Sequence, residues 1–361
     1  MISRIISNDM KHIYAIGIAL IFALFTFIPA PAHAEEEVDV KEIVLGHMSD
    51  AYEWHITTFG HKHISLPLPV IVKSQRDGQW HVFSSARFEE AAGGVYDGFY
   101  IDAARQGKIY EKGYEERPWD LSITKDVVQI WLNVLVLLLI FIPCARWYKR
   151  HEVTKEAPKG FVGCIEVLVS AINDDVIKTG IGEKNYRPYS PFLLTMFFFI
   201  LVTNLMGLIP FFPGGANVTG NITITFLLAF LTFIAINVFG NKEYWKEVFW
   251  PDVPVWMKCP VPLMPVIEFF SLFTKPFALM VRLFANMLAG HAIILSLTCV
   301  IFITFQVNLY VGSAISVFSG LLMIFMNALE LLVAFIQAYV FTMLSAIFIG
   351  LAHPHHEHTT N

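Results

Sequence analysis

Phe277-Ala278-Leu279-Met280-Val281-Arg282-Leu283-Phe284-Ala285-Asn286-Met287-Leu288-Ala289-Gly290-His291 carries one guanidinium deep inside an apolar run. Arginine keeps its proton under any physiological condition. At the centre of a bilayer it costs about 2.5–3.5 kcal/mol on the insertion scale. A chain that retains it needs a counter-charge or a wet path. The neighbouring apolar stretches offer few carboxylates, so a partner on another chain is expected, and ion movement rather than scaffolding. The bland alternative is a buried pair within the same chain.

Working outward from Arg282, the chain is apolar from Val261 to Val307 and again from Ile315 to Leu351. Both runs exceed what one perpendicular span needs. Either they hold three ordinary spans, or they are two long, steeply tilted helices. Gly290 is a weak breaker in a membrane helix, so two helices, about 262–306 and 315–351, are the preferred reading, joined outside near Asn308 to Gly312. Hydrophobic residues make up 55 % of the 361 residues and charged ones only 15 %. That balance describes a polytopic membrane protein with a minor soluble part. The net charge of −5 and the lack of any basic cluster give no reason to expect nucleic acid. Cys144, Cys164, Cys259 and Cys299 are scattered without metal-ligand spacing.

The expected fold is an all-α polytopic membrane protein with five spans, an amphipathic interfacial helix and a small extracytoplasmic N-terminal domain. The earlier spans are placed at about 127–145, 192–212 and 222–239. The first ends in Arg146, Lys149, Arg150 and His151, and Lys242, Lys246 and Lys258 follow the third. By the positive-inside rule both ends are cytoplasmic. The mature N-terminus is then outside and the His-rich tail, 352–361, is cytoplasmic. Residues 1–34 read as a secretory signal: Arg4 and Lys11, an apolar run, then Ala32-His33-Ala34. An uncleaved anchor is the alternative. Residues 35–120 contain no span, and alternation around 63–72 and 80–83 suggests short strands. His61 and His63 would share a strand face, although solvated histidines are the simpler reading and no metal site is expected. The pattern from Phe161 to Ile177, broken by Asp174-Asp175, fits a helix lying in the interface. The membrane domain is thus 121–361.

On a helix at about 100° per residue, Asn286 falls about 40° from Arg282, Lys275 about 20°, Ser271 about −20° and Glu268 about 40°. These residues form one narrow polar stripe. His291 falls at about 180°, on the opposite face. Gln337 follows Glu330 by seven residues and returns to nearly the same angle, with Asn327 close by. Glu330 needs a mate, and His291 is the natural candidate, at matching depth. Such a pair can pass protons, since imidazole titrates near neutral pH. Against this, Lys275 can snorkel, Glu268 can be an ordinary interfacial acid, and Asn327 can be helix–helix glue.

The run Glu268-Phe269-Phe270-Ser271-Leu272-Phe273-Thr274-Lys275-Pro276, then Arg282-Leu283-Phe284-Ala285-Asn286 to His291, resembles subunit a of the F-type ATP synthase, in its Fo sector. So do Glu330 to Phe341 and Thr203-Asn204-Leu205-Met206-Gly207-Leu208-Ile209-Pro210. The resemblance covers roughly 122–353. It implies that Arg282 faces a ring of c subunits, each with an essential carboxylate. It implies two proton half-channels, with His291, Glu330, Gln337, Asn286, Glu268, Ser271 and Asn204 on the path. The implied partners are the c-ring, the subunit b peripheral stalk, F1 indirectly, and membrane lipid of a bacterial inner membrane. Some members have an acid at the position of His291, a histidine at that of Glu330 and an acid at that of Gly207. No Gly-x-x-x-x-Gly-Lys-Ser/Thr loop occurs, so no nucleotide or other cofactor is expected and ATP chemistry would lie on other subunits. A secondary antiporter or another proton-conducting membrane subunit is the alternative. A membrane metalloenzyme would need more intramembrane histidines.

Overall fold

A computed structural model describes residues 49–59, 62–102, 105, 107–151, 157–209, 213–250, 263–307 and 309–352. The signal reading, the metal possibility at His61 and the histidine-rich tail lie outside the described residues.

The N-terminal part is a small antiparallel β structure. Strands β1 (Glu53–Phe59) and β2 (Lys62–Pro67) form a hairpin, bulged between His55 and Thr57. Strands β3 (Pro69–Lys73) and β4 (Trp80–Ser84) pair next, and a short helix α1 (Ala86–Glu90) follows. Strands β5 (Val95–Tyr96), β6 (Phe99–Asp102) and β7 (Lys108–Glu111) make a separate sheet. Strand β8 (Trp119–Asp120) returns to the free edge of β3. Val70 and Val72 alternate inward on β3 and meet Tyr52, Phe88, Phe99 and Ile109 in one core. A period of two puts such residues on one sheet face. Tyr52 donates a 2.5 Å hydrogen bond to Asp120, which Arg117 also reaches at 2.7 Å.

Helix α2 (Lys125–Arg150) starts directly against this domain. The Lys125 amide donates to the Ala51 carbonyl at 2.9 Å and the Asp126 amide to the Asp50 carboxylate at 3.2 Å. The domain is therefore clipped to the helix N-terminus by hydrogen bonds from its first two backbone amides. Helix α3 (Phe161–Ala171) follows. Winding does not stop at Asp174-Asp175. It widens into a π-helix, Ile172–Lys178, and ends in the turn Thr179–Ile181. Ile172, Val176, Ile177 and Ile181 are buried against Leu193, Phe197, Ala346 and Ile349. The wide turns keep that apolar face inward while both aspartates stay exposed.

Helices α4 (Tyr186–Gly207) and α5 (Ile222–Val238) are joined by a turn whose residues 216–219 are buried. A short helix, α6 (Lys242–Phe249), carries Lys242 and Lys246, so these lysines are more than flanking cations of the third span. The two last helices are α7 (Leu263–Val307) and α8 (Leu309–Leu351). α7 runs unbroken through Pro276 and Gly290. α8 begins at Leu309, so it takes in most of the stretch read as a connection.

Among the described residues, four helices are long and apolar enough to cross a membrane: α2, α4, the segment 264–301 of α7 and the segment 315–351 of α8. α5, with 17 residues, is shorter. At 1.5 Å per residue the apolar segments of α7 and α8 are each about 55 Å long, nearly twice the hydrocarbon thickness. The two pack along each other and against α4 and α5. Gly180 and Gly350 let α3's last turn touch α8: a Cβ on Gly350 would stand 2.2 Å from the Gly180 carbonyl oxygen.

Candidate functional site

The two faces of α7 differ. Arg282 and Asn286 are exposed, on a strip that also holds Thr274, Ala278, Ala285 and Ala289. Among the described residues no acid pairs with Arg282. The alanines leave a shallow surface around the guanidinium, on which a neighbouring helix can lie close.

Glu268, Ser271 and Lys275 do not share that openness; all three are half-buried. Lys275 sets its ammonium 5.7 Å from the centre of the Phe348 ring on α8. Glu268 lies near Tyr244 of α6. Burial first, and then that carboxylate, push the Tyr244 hydroxyl up to about 12. The stripe read from the sequence is therefore divided, with Glu268 engaged by α6 and Lys275 by α8.

His291 turns to the other side. Its Nδ1 lies 2.9 Å from Oε1 of Glu330, with side-chain exposures of 14 % and 4 %. The contact is close but not aligned as a hydrogen bond. Both Glu330 oxygens are buried without a hydrogen-bond donor among the described residues. Gly290 admits this carboxylate, because a Cβ there would stand 2.8 Å from Oε1 and 3.0 Å from its carbon. Gly207 of α4 lies on the far side of the imidazole. A Cβ on it would stand at ordinary van der Waals distance, 3.4 Å from His291 Nε2 and 3.5 Å from the Ala216 carbonyl oxygen.

Asn204 is fully buried, accepting from Thr219 at 2.8 Å and donating to the Ala334 carbonyl of α8 at 3.3 Å. Gln337 is buried on α8, two turns beyond Glu330. Asn327 bonds its own helix, at the Met323 carbonyl, 2.9 Å away. The structure thus brings His291 and Glu330 into contact, and sets Arg282 with Asn286 apart on the open face. Sequence reasoning missed three buried residues of α2: Asp126, Gln129 and Asn133. Their spacing (i, i+3, i+7) on an apolar helix was the available signal. Among the described residues no three His, Cys, Asp or Glu side chains gather as a metal site.

A protein family described as ATP synthase A chain matches residues 127–350. The chain belongs to this family, that of subunit a of the F-type ATP synthase. The family's match begins where the β domain ends. A different family, described only as a domain of unknown function, matches residues 43–127. ATP synthase subunit a of Chlorobium phaeobacteroides (strain DSM 266) is 47 % identical over 248 residues, covering 66 % of this chain and 68 % of the relative. The protein of the same name from Chloroherpeton thalassium is 43 % identical over 269 residues, covering 73 % and 76 %. ATP synthase subunit a 2 of Chlorobaculum tepidum is 45 % identical over 259 residues, covering 69 % and 68 %. Family membership and the four long apolar helices make the chain a multi-pass membrane protein.

Proposed function

We propose that this chain is the stator channel subunit of an Fo sector, and that it carries protons through two half-paths separated by Arg282. The observation that carries the reading is the opposition of faces on α7. A permanent cation without an acid partner among the described residues stands on an open, alanine-lined strip. A buried imidazole–carboxylate pair lies on the packed side. The open strip suits a c-ring whose carboxylates pass in succession. α7 and α8 lie steeply tilted, which fits their length to the bilayer.

Protons come from outside to Glu330 and His291, then neutralise a ring carboxylate, which can enter lipid. After nearly a full turn the carboxyl reaches the cytoplasmic path near Glu268 and Ser271 and ionises. Arg282 favours the ionised form at that point. It blocks direct leakage because a guanidinium does not release its proton. Asn286 is one turn beyond Arg282 on the same face. Gln337 and Asn204 frame the outer side. A potential of 100 mV supplies about 2.3 kcal/mol per proton. Hydrolysis and synthesis of ATP belong to F1, with subunit b as the stationary link. Arg146, Lys149 and Arg150 support a cytoplasmic location, in a bacterial cell, for that end of α2, with the β domain outside.

The test is purification of the chain from its native membrane, followed by proton pumping in inverted vesicles. A small two-helix ring protein bearing one carboxylate should co-purify. Glu330→Gln should slow pumping while the complex still assembles. A chain purified without a ring protein, or unchanged pumping in Glu330→Gln, would contradict the assignment.

A further inference from the structure

One sheet of the β domain turns an apolar face away from the core. In the sheet β4–β3–β8, Val70 and Val72 of the central strand point inward. The alternate residues Ile71 and Lys73 therefore point outward. Lys73 pairs with Trp80 on one side and Trp119 on the other, so these three side chains form a row across the sheet. Ile71 pairs with Val82, and its carbonyl accepts from the Leu121 amide at 2.9 Å. Val82, Ile71 and Leu121 make the adjoining row. Trp80, Val82, Trp119 and Leu121 are 50 %, 68 %, 76 % and 63 % exposed. Single exposed hydrophobic residues are ordinary, but four large ones on one face of one sheet mark a surface that meets something apolar.

The order of the rows along the strands points to the partner. The end of the sheet far from α2 is charged. Arg76 and Asp77 in the β3–β4 turn are exposed, as are Glu115 and Glu116 before β8. Gln75 ties these two segments together by donating to the Glu116 carbonyl at 3.3 Å. The row Trp80–Lys73–Trp119 comes next, then Val82–Ile71–Leu121. Ile123 follows, its amide donating to the Pro69 carbonyl at 3.1 Å, and α2 begins two residues later. Charged groups, then tryptophan with lysine, then aliphatic side chains is the polarity sequence of a bilayer surface from water inward. Indole rings settle at headgroup level, and a lysine reaches phosphate while its stem lies on apolar surface. Among the described residues Lys73 has no acid partner. The chain from Trp119 to Lys125 spans at most about 20 Å, so the face is within reach of the membrane that α2 enters. Further along α2, Trp131, Leu135, Leu138 and Leu139 are exposed in turn, as residues facing lipid are.

We propose that this sheet face lies against the membrane surface, with Trp80, Lys73 and Trp119 among the phospholipid headgroups of the leaflet at which α2 begins. The Lys73 ammonium meets lipid phosphate, and the two indoles flank it. The aliphatic row sits deeper and continues the lipid-facing surface of α2 onto the β domain. The domain is then held at two places, by the amides of Lys125 and Asp126 and by the lipid under its sheet. This docking does not depend on the proton path.

The experiment uses the full chain in its complex, with the native cysteines replaced, in vesicles of phosphatidylcholine and phosphatidylglycerol that carry a nitroxide on the headgroup. Val82→Cys and Leu121→Cys each receive an environment-sensitive fluorophore; both residues are exposed, so the change leaves the core intact. Glu90→Cys is the reference, on helix α1, which packs through Phe88 on the inner side of the sheet. The two sheet labels should be quenched severalfold more than the reference. Lys73→Glu should lower that quenching by about fivefold, because attraction to anionic lipid turns into repulsion. Quenching equal to the reference at both sites, or unchanged by Lys73→Glu, overturns the proposal. A label shielded from water but not quenched by lipid also overturns it, and gives the face to protein, such as a second copy of this chain. If a labelled chain fails to assemble, brominated phospholipid added to the unlabelled complex decides. It should quench tryptophan emission less in Trp80→Phe and in Trp119→Phe than in the unmodified chain, and equal quenching in all three overturns the docking.

Discussion

At the scale of single residues, one glycine decides how the buried pair is presented. Glu330 reaches His291 only because residue 290 has no side chain. Gly290→Ala should push the carboxylate aside. The obstructed group is the end of a flexible side chain, so the fold should lose less than about 1 kcal/mol. Pumping should still fall by about tenfold. Thermal melting of the complex alongside a fluorescence-quench pumping assay separates the two effects. Equal pumping would mean that the His291–Glu330 distance is not critical. The division of α7 into an open and a packed face was legible from a 100° wheel. Arg282 and His291 are nine residues apart, which places them on opposite sides of any straight helix. What the wheel could not supply was the company each face keeps. Lys275 and Glu268 sit near the Arg282 angle, but α6 and α8 cover that end, and α6 carried no apolar run long enough to announce itself.

At the scale of elements, two joints hold the chain together by different physics. In the β domain, Asp120 is partly buried, which alone would raise its pKa. Hydrogen bonds from Ser122, Tyr52 and Arg117 outweigh burial and hold it below the usual carboxylate range. A lowered carboxyl stabilises the fold above its ordinary value of 3.8 and loses that stabilisation as pH falls through the folded value. The β domain should therefore weaken in acid below about pH 4. Tyr52→Phe should remove about 1–3 kcal/mol at neutral pH and flatten that acid limb. Circular dichroism of the purified protein against pH reads both, and an unchanged limb would free Asp120 from the role. The second joint is backbone against backbone. Gly350 touches Gly180 so closely that neither side can yield by rotating a side chain. Gly350→Ala should cost about 1–3 kcal/mol or more and lower the melting temperature in detergent, whereas unchanged melting would contradict the close approach. The sequence could not reveal this joint, because a glycine within an apolar run reads the same whether it faces lipid or another backbone. The strands, by contrast, were partly visible as alternation from 63 to 72. The π-helix was not, since paired aspartates read as a stop.

At the scale of the whole molecule, the proposed function gives one face of α7 to what moves and the other to what conducts. Two rods each nearly twice as long as the hydrocarbon must tilt or project. Tilt predicts that labelled amides of 264–301 and 315–351 lie well beyond the ordinary mean of about 20° from the bilayer normal. Polarised infrared spectroscopy of oriented bilayers measures that angle, and an ordinary tilt would contradict the reading. The apolar lengths were plain in the sequence, and so was the charge they enclose. The three buried polar side chains of α2 are hidden in the sequence because hydropathy averages them out in a strongly apolar helix. The central claim remains the separating cation. Arg282→Lys keeps a positive charge and similar reach but replaces a guanidinium by an amine that can give up its proton when desolvated. ATP synthesis driven by an imposed proton gradient in vesicles carrying Arg282→Lys should fall to background with the complex intact. Synthesis at the unmodified rate would contradict the account.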